Sequence, residues 1–167
     1  MPVRRQMVVL KIGEEEFAVD IALTKEIVLM RPITPVPETE DFVEGVMNLR
    51  GNLVPVLDLR KKLRAGKAVT HHDVRIVITQ IDGKQTGLIV DGATEVIRVN
   101  EEMMEPAPDV IAELGADYIA GVINLGGRFL TFLDLKKALS GEVSRELDVV
   151  MKVVSRHPDQ TQAPPDA

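Results

Sequence analysis

The sequence of 167 residues contains no cysteine, no tryptophan, and only one tyrosine and four phenylalanines. The lack of cysteine excludes a disulfide scaffold, a thiolate zinc site, an iron–sulfur cluster and a cysteine nucleophile. With aromatic residues at 3%, the core has to be built from valine, isoleucine and leucine, and the β-branched members of this set favour strands. A basic excess is also missing, because 20 lysines and arginines against 26 acidic residues give a net charge of −6. This charge disfavours a nucleic-acid-binding surface.

Long hydrophobic runs are absent as well. The apolar run Met7–Leu10 ends at Lys11, which is too short for a signal peptide, and no stretch approaches the roughly 18 apolar residues of a membrane span. We therefore expect a soluble cytoplasmic protein without membrane insertion. The polar, proline-containing stretch 157–167 cannot bury enough apolar surface to offset its ordering entropy, so we expect a disordered tail.

An internal repeat is the main feature that is present. Residues 42–63 align without a gap on residues 118–139, and ten of the 22 positions are identical. Upstream the match is weaker, but Glu26–Val28 can be placed on Glu95–Ile97. Each half therefore carries the same order of elements, and residues 64–73 form the natural joint between the halves.

The local patterns within each half are those of short strands. Alternating apolar residues surround a polar turn at 13–16, and Asp82-Gly83 between two β-branched runs predicts a two-residue hairpin. Further turns are predicted at 48–52 and 124–128. Pro55 cannot donate to a ladder, which places it on an edge strand or at a bulge. About five short strands in roughly 65 residues suit a small closed barrel, so the predicted fold class is all-β.

Helices are predicted at three places. Asp58 and Asp134 each precede a lysine- and leucine-containing segment, as the N-cap of a one- to two-turn helix does. A C-terminal helix is predicted over about 142–156, because four apolar residues recur at intervals of three or four and would pack on a barrel: Val143, Leu147, Val150 and Val154.

Several segments together resemble the CheW family, the coupling proteins of bacterial chemosensory arrays. The segment from Asn48 to Arg60, NLRGNLVPVLDLR, carries the closest likeness, and four others follow in the family's order: Phe17–Ile21 ahead of Glu26, Gly87–Gly92, Met104–Pro108 and Tyr118–Gly121. The likeness covers about Met7 to Leu139. It implies two intertwined five-stranded SH3-like barrels, the first over about 7–70 and the second over about 74–141.

The resemblance also implies an adaptor function without catalysis or a cofactor. Members bridge the cytoplasmic tip of a methyl-accepting chemoreceptor to the regulatory domain of the histidine kinase CheA. On this basis the expected receptor-binding residues are Thr24, Glu26, Ile27 and Arg50, and the expected kinase-binding residues are Glu105 and Val110. Gly126 stands where the first repeat has Arg50, so we expect only the first half to present that guanidinium.

Other functional classes have weaker support in the sequence. A nucleic-acid-binding barrel would need basic and aromatic residues interleaved on one face, which this composition opposes. A hydrolase using Asp58, Asp134 or His71 lacks a nucleophile elbow, a phosphate loop and metal-ligand spacing. His71 and His72 are adjacent residues in a loop, which gives a metal no fixed geometry. Turns are expected to account for Gly45, Gly126 and Gly127.

Overall fold

A computed structural model describes residues 5–63, 73–108 and 117–156. Within these ranges the chain forms eleven strands, two single 3₁₀ turns (Ile21–Leu23 and Glu101–Met103) and three α-helices. The strands are β1 (Arg5–Ile12), β2 (Glu15–Asp20), β3 (Thr24–Leu29), β4 (Val43–Leu49), β5 (Asn52–Asp58), β6 (Arg75–Ile81), β7 (Lys84–Val90), β8 (Gly92–Val99), β9 (Met104–Pro106), β10 (Ile119–Leu125) and β11 (Arg128–Leu133). The helices are α1 (Leu59–Leu63), α2 (Leu135–Ala138) and α3 (Glu142–Arg156). The all-β prediction is confirmed.

The two sequence halves exchange strands between two sheets. One sheet has six strands in the order β8-β1-β2-β11-β10-β9, and the other has five in the order β3-β6-β7-β5-β4. Parallel pairing of β2 with β11 and of β5 with β7 joins strands of different halves. Each sheet thus combines strands from the first half of the chain with strands from the second, as expected of an intertwined fold. The short strand β9 gives the first sheet a sixth member.

Three hydrophobic clusters form the core. The largest lies where the sheets pack against each other and includes Leu10, Leu57, Leu88 and Leu133. A second cluster, with Met7 and Val9, belongs to the six-stranded sheet, and a third, with Met47, Ile76 and Ile78, belongs to the five-stranded sheet. Strand β1 contributes alternate residues to two clusters, which is why it reads as a nearly continuous apolar run.

Pro55 lies on an inner strand, whereas the sequence analysis expects an edge strand or a bulge. It stands opposite Val46, whose N–H and C=O bond Thr34 at 2.9 and 2.8 Å, so this pair makes no hydrogen bonds between β4 and β5. Pairing of β5 with β7 begins only at Val56. Pro55 therefore occupies a local edge within an inner strand, where its missing N–H interrupts no ladder.

Gly45 is required by a close backbone approach and not by a turn, contrary to the expectation from sequence. It lies within β4 at a φ of +138°, and a Cβ built there would stand 2.0 Å from the carbonyl oxygen of Thr34. The aligned Gly121 in β10 meets the carbonyl oxygen of Glu105 in the same way, at 2.4 Å. Gly126 and Gly127 do lie in the β10–β11 turn, at φ values of 64° and 100°.

The C-terminal helix α3 spans the predicted range. Val143, Val150 and Val154 are buried in the large cluster, and Leu147 packs against it. The apolar spacing read from the sequence therefore identifies the face of α3 that contacts the sheets.

Candidate functional site

An exposed ion pair joins two of the residues that the sequence singled out. The guanidinium of Arg50 donates to the carboxylate of Glu26, and their side chains are 64% and 26% exposed. Glu26 lies on β3 and Arg50 in the β4–β5 turn, so the pair connects the two edges of the five-stranded sheet. A link between opposite edges requires the sheet to curve back on itself, as a barrel does.

The charges around this pair are mostly positive. The hydrogen bond from Arg50 holds the pKa of Glu26 below its ordinary value, with smaller contributions in the same direction from the charges of Arg50, Lys25 and Arg31. The bond to Glu26 raises the pKa of Arg50. Three cations therefore surround one carboxylate on a chain whose net charge is −6, which makes this area locally basic.

Arg50 adopts a backbone conformation that disfavours a side chain. Its φ is 50°, in the left-handed region, and Gly51 follows at 88°, so the two form the tight hairpin turn expected from the sequence. The aligned turn in the second half uses two glycines, Gly126 and Gly127. The first half thus accepts a strain of about 1 kcal/mol to place an arginine where glycine would fit freely. Strain of this kind is characteristic of functional positions.

Thr24 and Ile27 lie on the same strand as Glu26, but the residues do not form one flat patch. Ile27 stands opposite Val77 and Glu26 opposite Ile78, so these neighbouring side chains point to opposite faces of the sheet. A bulge at Lys25 separates Thr24 from Glu26, and the Thr24 hydroxyl donates to the backbone oxygen of Asp20 at 3.4 Å. The residues are grouped around the free edge of β3.

Exposed apolar residues that the sequence analysis did not select extend this area. Leu29 is 64% and Met30 is 45% exposed, compared with 41% for Ile27. The sequence feature that could have identified these residues is the run of four apolar residues 27–30, which includes the end of β3. A strand with one solvent-exposed face usually alternates apolar and polar residues, whereas this run is apolar on both faces. We define the β3 edge surface as Lys25, Glu26, Ile27, Leu29, Met30, Arg31 and Arg50.

The second half has Gly126 at the turn position aligned with Arg50, as the sequence shows, but it carries a guanidinium nearby. Arg128, two positions farther on, binds Glu16 through its Nε at 2.9 Å and also pairs with Glu95. Glu95 is the residue aligned with Glu26. The bond from Arg128 lowers the pKa of Glu16, and both carboxylates raise the pKa of Arg128. Each half therefore links a strand edge to a hairpin by an arginine–glutamate pair.

Glu105, the expected kinase contact, is distant in the chain from the Glu26–Arg50 pair and belongs to the other sheet. It is an exposed residue of β9, opposite Val122 on β10. The backbone of β9 passes so close to β10 that only glycine fits at position 121. Val110, the second expected kinase contact, lies outside the described residues.

We predict that Gly121→Ala displaces β9 and, if Glu105 contacts the kinase, lowers the affinity for the kinase regulatory domain about tenfold. The added methyl group would stand 2.4 Å from the Glu105 carbonyl oxygen, so β9 has to move. Calorimetric titration measures the effect. Gly126→Ala is the matched control, because nothing lies within 4 Å of its added Cβ. Unchanged affinity of a folded Gly121→Ala protein would exclude β9 from the kinase contact.

A buried ion network joins the two sheets where the chain passes from β7 to β8. Arg60 pairs with Asp58 at 2.9 Å and with Asp91 at 3.0 Å, and the other oxygen of Asp91 accepts the backbone N–H of Gly13 at 2.6 Å. Both aspartates are nearly inaccessible, and their hydrogen bonds raise the pKa of Arg60. The network fixes the β1–β2 turn to the start of α1.

The two aspartates expected to cap helices behave differently. Asp134 caps α2 by accepting the backbone N–H of Lys137 at 3.2 Å. Asp58 accepts the backbone N–H of Arg60 at 2.9 Å, which satisfies the start of α1, but most of its contacts are with the Arg60 guanidinium. The two aligned aspartates thus have different roles. Asp134 caps a helix, whereas Asp58 both caps a helix and forms an ion pair with Arg60.

We predict that Arg60→Met lowers the free energy of unfolding by about 3 kcal/mol, because it leaves two buried carboxylates without their cation. Lys136→Met, at the aligned position of the second half, is the control and should change stability by less than about 0.5 kcal/mol. Urea denaturation of both variants measures the difference. Equal stability of the two would show that the network contributes nothing to the fold.

Other site types find no support among the described residues. No group of three or more histidine, aspartate or glutamate side chains is arranged to hold a metal ion in that part of the chain. His71 and His72 lie outside it. Across residues 5–63, 73–108 and 117–156, none of the helices combines the length and apolar character needed to cross a bilayer.

Comparison with known proteins identifies the family. The model of the CheW-like domain matches residues 6–159. The chemotaxis protein CheW of Klebsiella aerogenes is 35% identical over 151 residues, 90% of each chain, and that of Treponema pallidum is 33% identical over 146 residues, 85% of this chain and 86% of its own. The crystal structure of the scaffolding protein TtCheW from Thermoanaerobacter tengcongensis superimposes with a TM-score of 0.74 at 34% identity, covering 86% of this chain and 96% of that one. The chain therefore belongs to the CheW family of chemotaxis scaffolding proteins.

Proposed function

We propose that this protein is a non-catalytic chemosensory adaptor, which couples the cytoplasmic tip of methyl-accepting chemoreceptors to the regulatory domain of a CheA-type histidine kinase. The membership in the CheW family supports this function. Signal would pass as a change in how receptor and kinase are held relative to one another. The adaptor would act in the cytoplasm, attached to membrane receptors through its partners and without a cofactor or nucleic acid.

The observation that carries the receptor assignment is the exposed Glu26–Arg50 pair within the β3 edge surface. Solvent-exposed Ile27 and Leu29 offer apolar area on the other face of the same edge strand, Met30 follows its end, and arginine is a frequent anchor of protein interfaces. The local excess of cations suits a receptor segment that carries acidic side chains. Arg50 and Glu26 would set the register of the receptor on this surface, and Thr24 would border it.

The kinase assignment rests on Glu105 and Val110. Exposed Glu105 lies on the edge strand β9 of the six-stranded sheet, away from the β3 edge surface, which belongs to the other sheet. Two contact areas on different sheets allow the receptor and the kinase to bind at the same time. A rigid connection between the sheets, through the large core and Arg60, would then transmit the position of one partner to the other.

The non-catalytic assignment agrees with the roles that the two conspicuous aspartates have in the fold. Asp58 is buried against Arg60, and Asp134 accepts the backbone N–H of Lys137 as the cap of α2, so each carboxylate has a structural role.

Calorimetric titration with each partner tests the proposal. We expect saturable one-to-one binding at micromolar concentration to the CheA regulatory domain and, separately, to a receptor-tip fragment. Glu105→Arg should weaken only the kinase complex, and Glu26→Lys only the receptor complex. Absence of both complexes with the folded protein would contradict the adaptor function.

A further inference from the structure

A groove of about 620 Å³ lies beneath α3 and is not used by the proposed adaptor function. It is bounded by the first half of β5, the start of β7, α3 and the end of α2. The apolar residues of its wall are Leu53, Pro55, Ile81, Leu139, Leu147 and Met151. A mainly apolar concavity of this size is typical of small-molecule sites.

The groove exists because β5 and β7 separate. Their parallel pairing covers only Val56–Asp58 with Gly87–Ile89, and Pro55 has no N–H with which to extend it. In the six-stranded sheet the equivalent strands, β11 and β2, also pair briefly, but there Arg128 and Glu16 form an ion pair across the gap.

The two residues that correspond to this ion pair cannot form one in the five-stranded sheet. The repeat alignment places Asn52 on Arg128. Val56 and Phe132 are aligned in the repeat, and their partners in the parallel pairs are Gly87 and Ala18. Gln85 and Glu16 each lie two residues before these partners, so they occupy corresponding positions. The gap between β5 and β7 therefore stays open, and α3 forms a roof over it.

The charged residues of the groove are unevenly paired. Lys84 and Asp148 neutralise each other across it at 3.1 Å. Asp82 lies in the β6–β7 turn, at one side of the groove. Lys136 lines the groove from α2 and is within 4 Å of no carboxylate among the described residues, although it also borders a neighbouring cavity that Asp20 and Asp134 line. A charged group of a ligand is attracted to Lys136 and repelled by Asp82 if it is negative, so this part of the groove favours an anion.

We propose that this groove is a binding site for an elongated apolar small molecule with one carboxylate. Its apolar body would contact Leu53, Ile81 and Leu147, and its carboxylate would lie at Lys136. The site goes beyond the adaptor function and does not depend on it, because its walls include none of the residues assigned to the receptor or the kinase.

Titration of the full chain with octanoate and with 1-octanol tests the chemistry. We expect one saturable site by calorimetry and tighter binding of octanoate than of octanol. Lys136→Gln should weaken octanoate about threefold and leave octanol unchanged, as expected for an exposed charge pair. Lys137→Gln, which removes the next lysine outside the groove, is the matched control and should change neither affinity. Equal affinity for both ligands in the unaltered protein would overturn the carboxylate assignment.

The position of the ligand is tested by filling the groove. Ser144→Trp from α3 and Gln85→Trp from β7 each place an indole in the space from a different wall. A thermal melt checks that each variant is folded, and two variants are used so that loss of one to misfolding leaves the test intact. We expect a folded variant to lose octanoate binding at least tenfold. Binding that persists in it, or absence of saturable binding to the unaltered protein, would overturn the proposal.

Discussion

Arg50→Glu is expected to weaken binding of the receptor tip by about ten- to a hundredfold, the range seen when an interface anchor is lost. The change places two carboxylates side by side where Arg50 now binds Glu26, and it reverses a charge in the β3 edge surface. Both side chains are accessible to solvent, so the fold should persist. Anisotropy titration with a labelled receptor fragment gives the affinity, and circular dichroism gives the state of the fold.

Arg128→Glu is the matched control for this experiment. It makes the same chemical change at the corresponding ion pair of the second half, beside Glu16 and Glu95. The receptor affinity of this variant should stay within about twofold of the unaltered protein, a change no larger than that of a distant surface charge. If the two variants lose receptor affinity equally, the β3 edge surface is not the receptor site, and overall charge determines binding instead.

Gly45→Ala is expected to lower the free energy of unfolding by about 4 kcal/mol, among the largest effects of a single methyl group. The new Cβ would stand 2.0 Å from the Thr34 oxygen, and backbone atoms cannot move aside as a flexible side chain can. The positive φ of 138° adds strain. Urea denaturation followed by circular dichroism measures the loss.

Gly51→Ala separates the two causes. Its φ is also positive, at 88°, but nothing lies within 4 Å of the added Cβ. This variant should therefore lose only about 1 kcal/mol, the cost of the left-handed conformation. A loss in Gly45→Ala no greater than that in Gly51→Ala would show that the contact between β4 and Thr34 is not required for the fold.

The sequence was sufficient to predict the hairpins, because their determinants are local. Asp82 and Gly83 have the positive φ values that the turn requires, and the apolar period of α3 identifies its buried face. Which strands share a sheet was not predictable in this way. The pairing of β2 with β11 joins residues more than a hundred positions apart, and alternation along a strand carries no information about its neighbour.

In the candidate site, too, some residues could be predicted from the sequence, whereas contacts between distant residues could not. The sequence predicts Glu26 and Arg50 as receptor contacts through the family resemblance, and the structure pairs their side chains, while their role in binding stays a prediction. Arg128 was missed because a gapless alignment compares Arg50 with Gly126, whereas a long arginine side chain can reach Glu95 from a position two residues farther on. Arg60 was missed because its second partner, Asp91, is 31 residues away in the chain.

The central claim is that one chain holds receptor and kinase together, and co-sedimentation tests it most directly. Membranes containing a chemoreceptor are mixed with its CheA kinase, with and without this protein, and the sedimented kinase is measured. We predict that kinase sediments with the membranes only when this protein is present, and that Arg50→Glu abolishes the effect. Kinase that sediments equally with or without the protein, or equally with the variant, would contradict the claim.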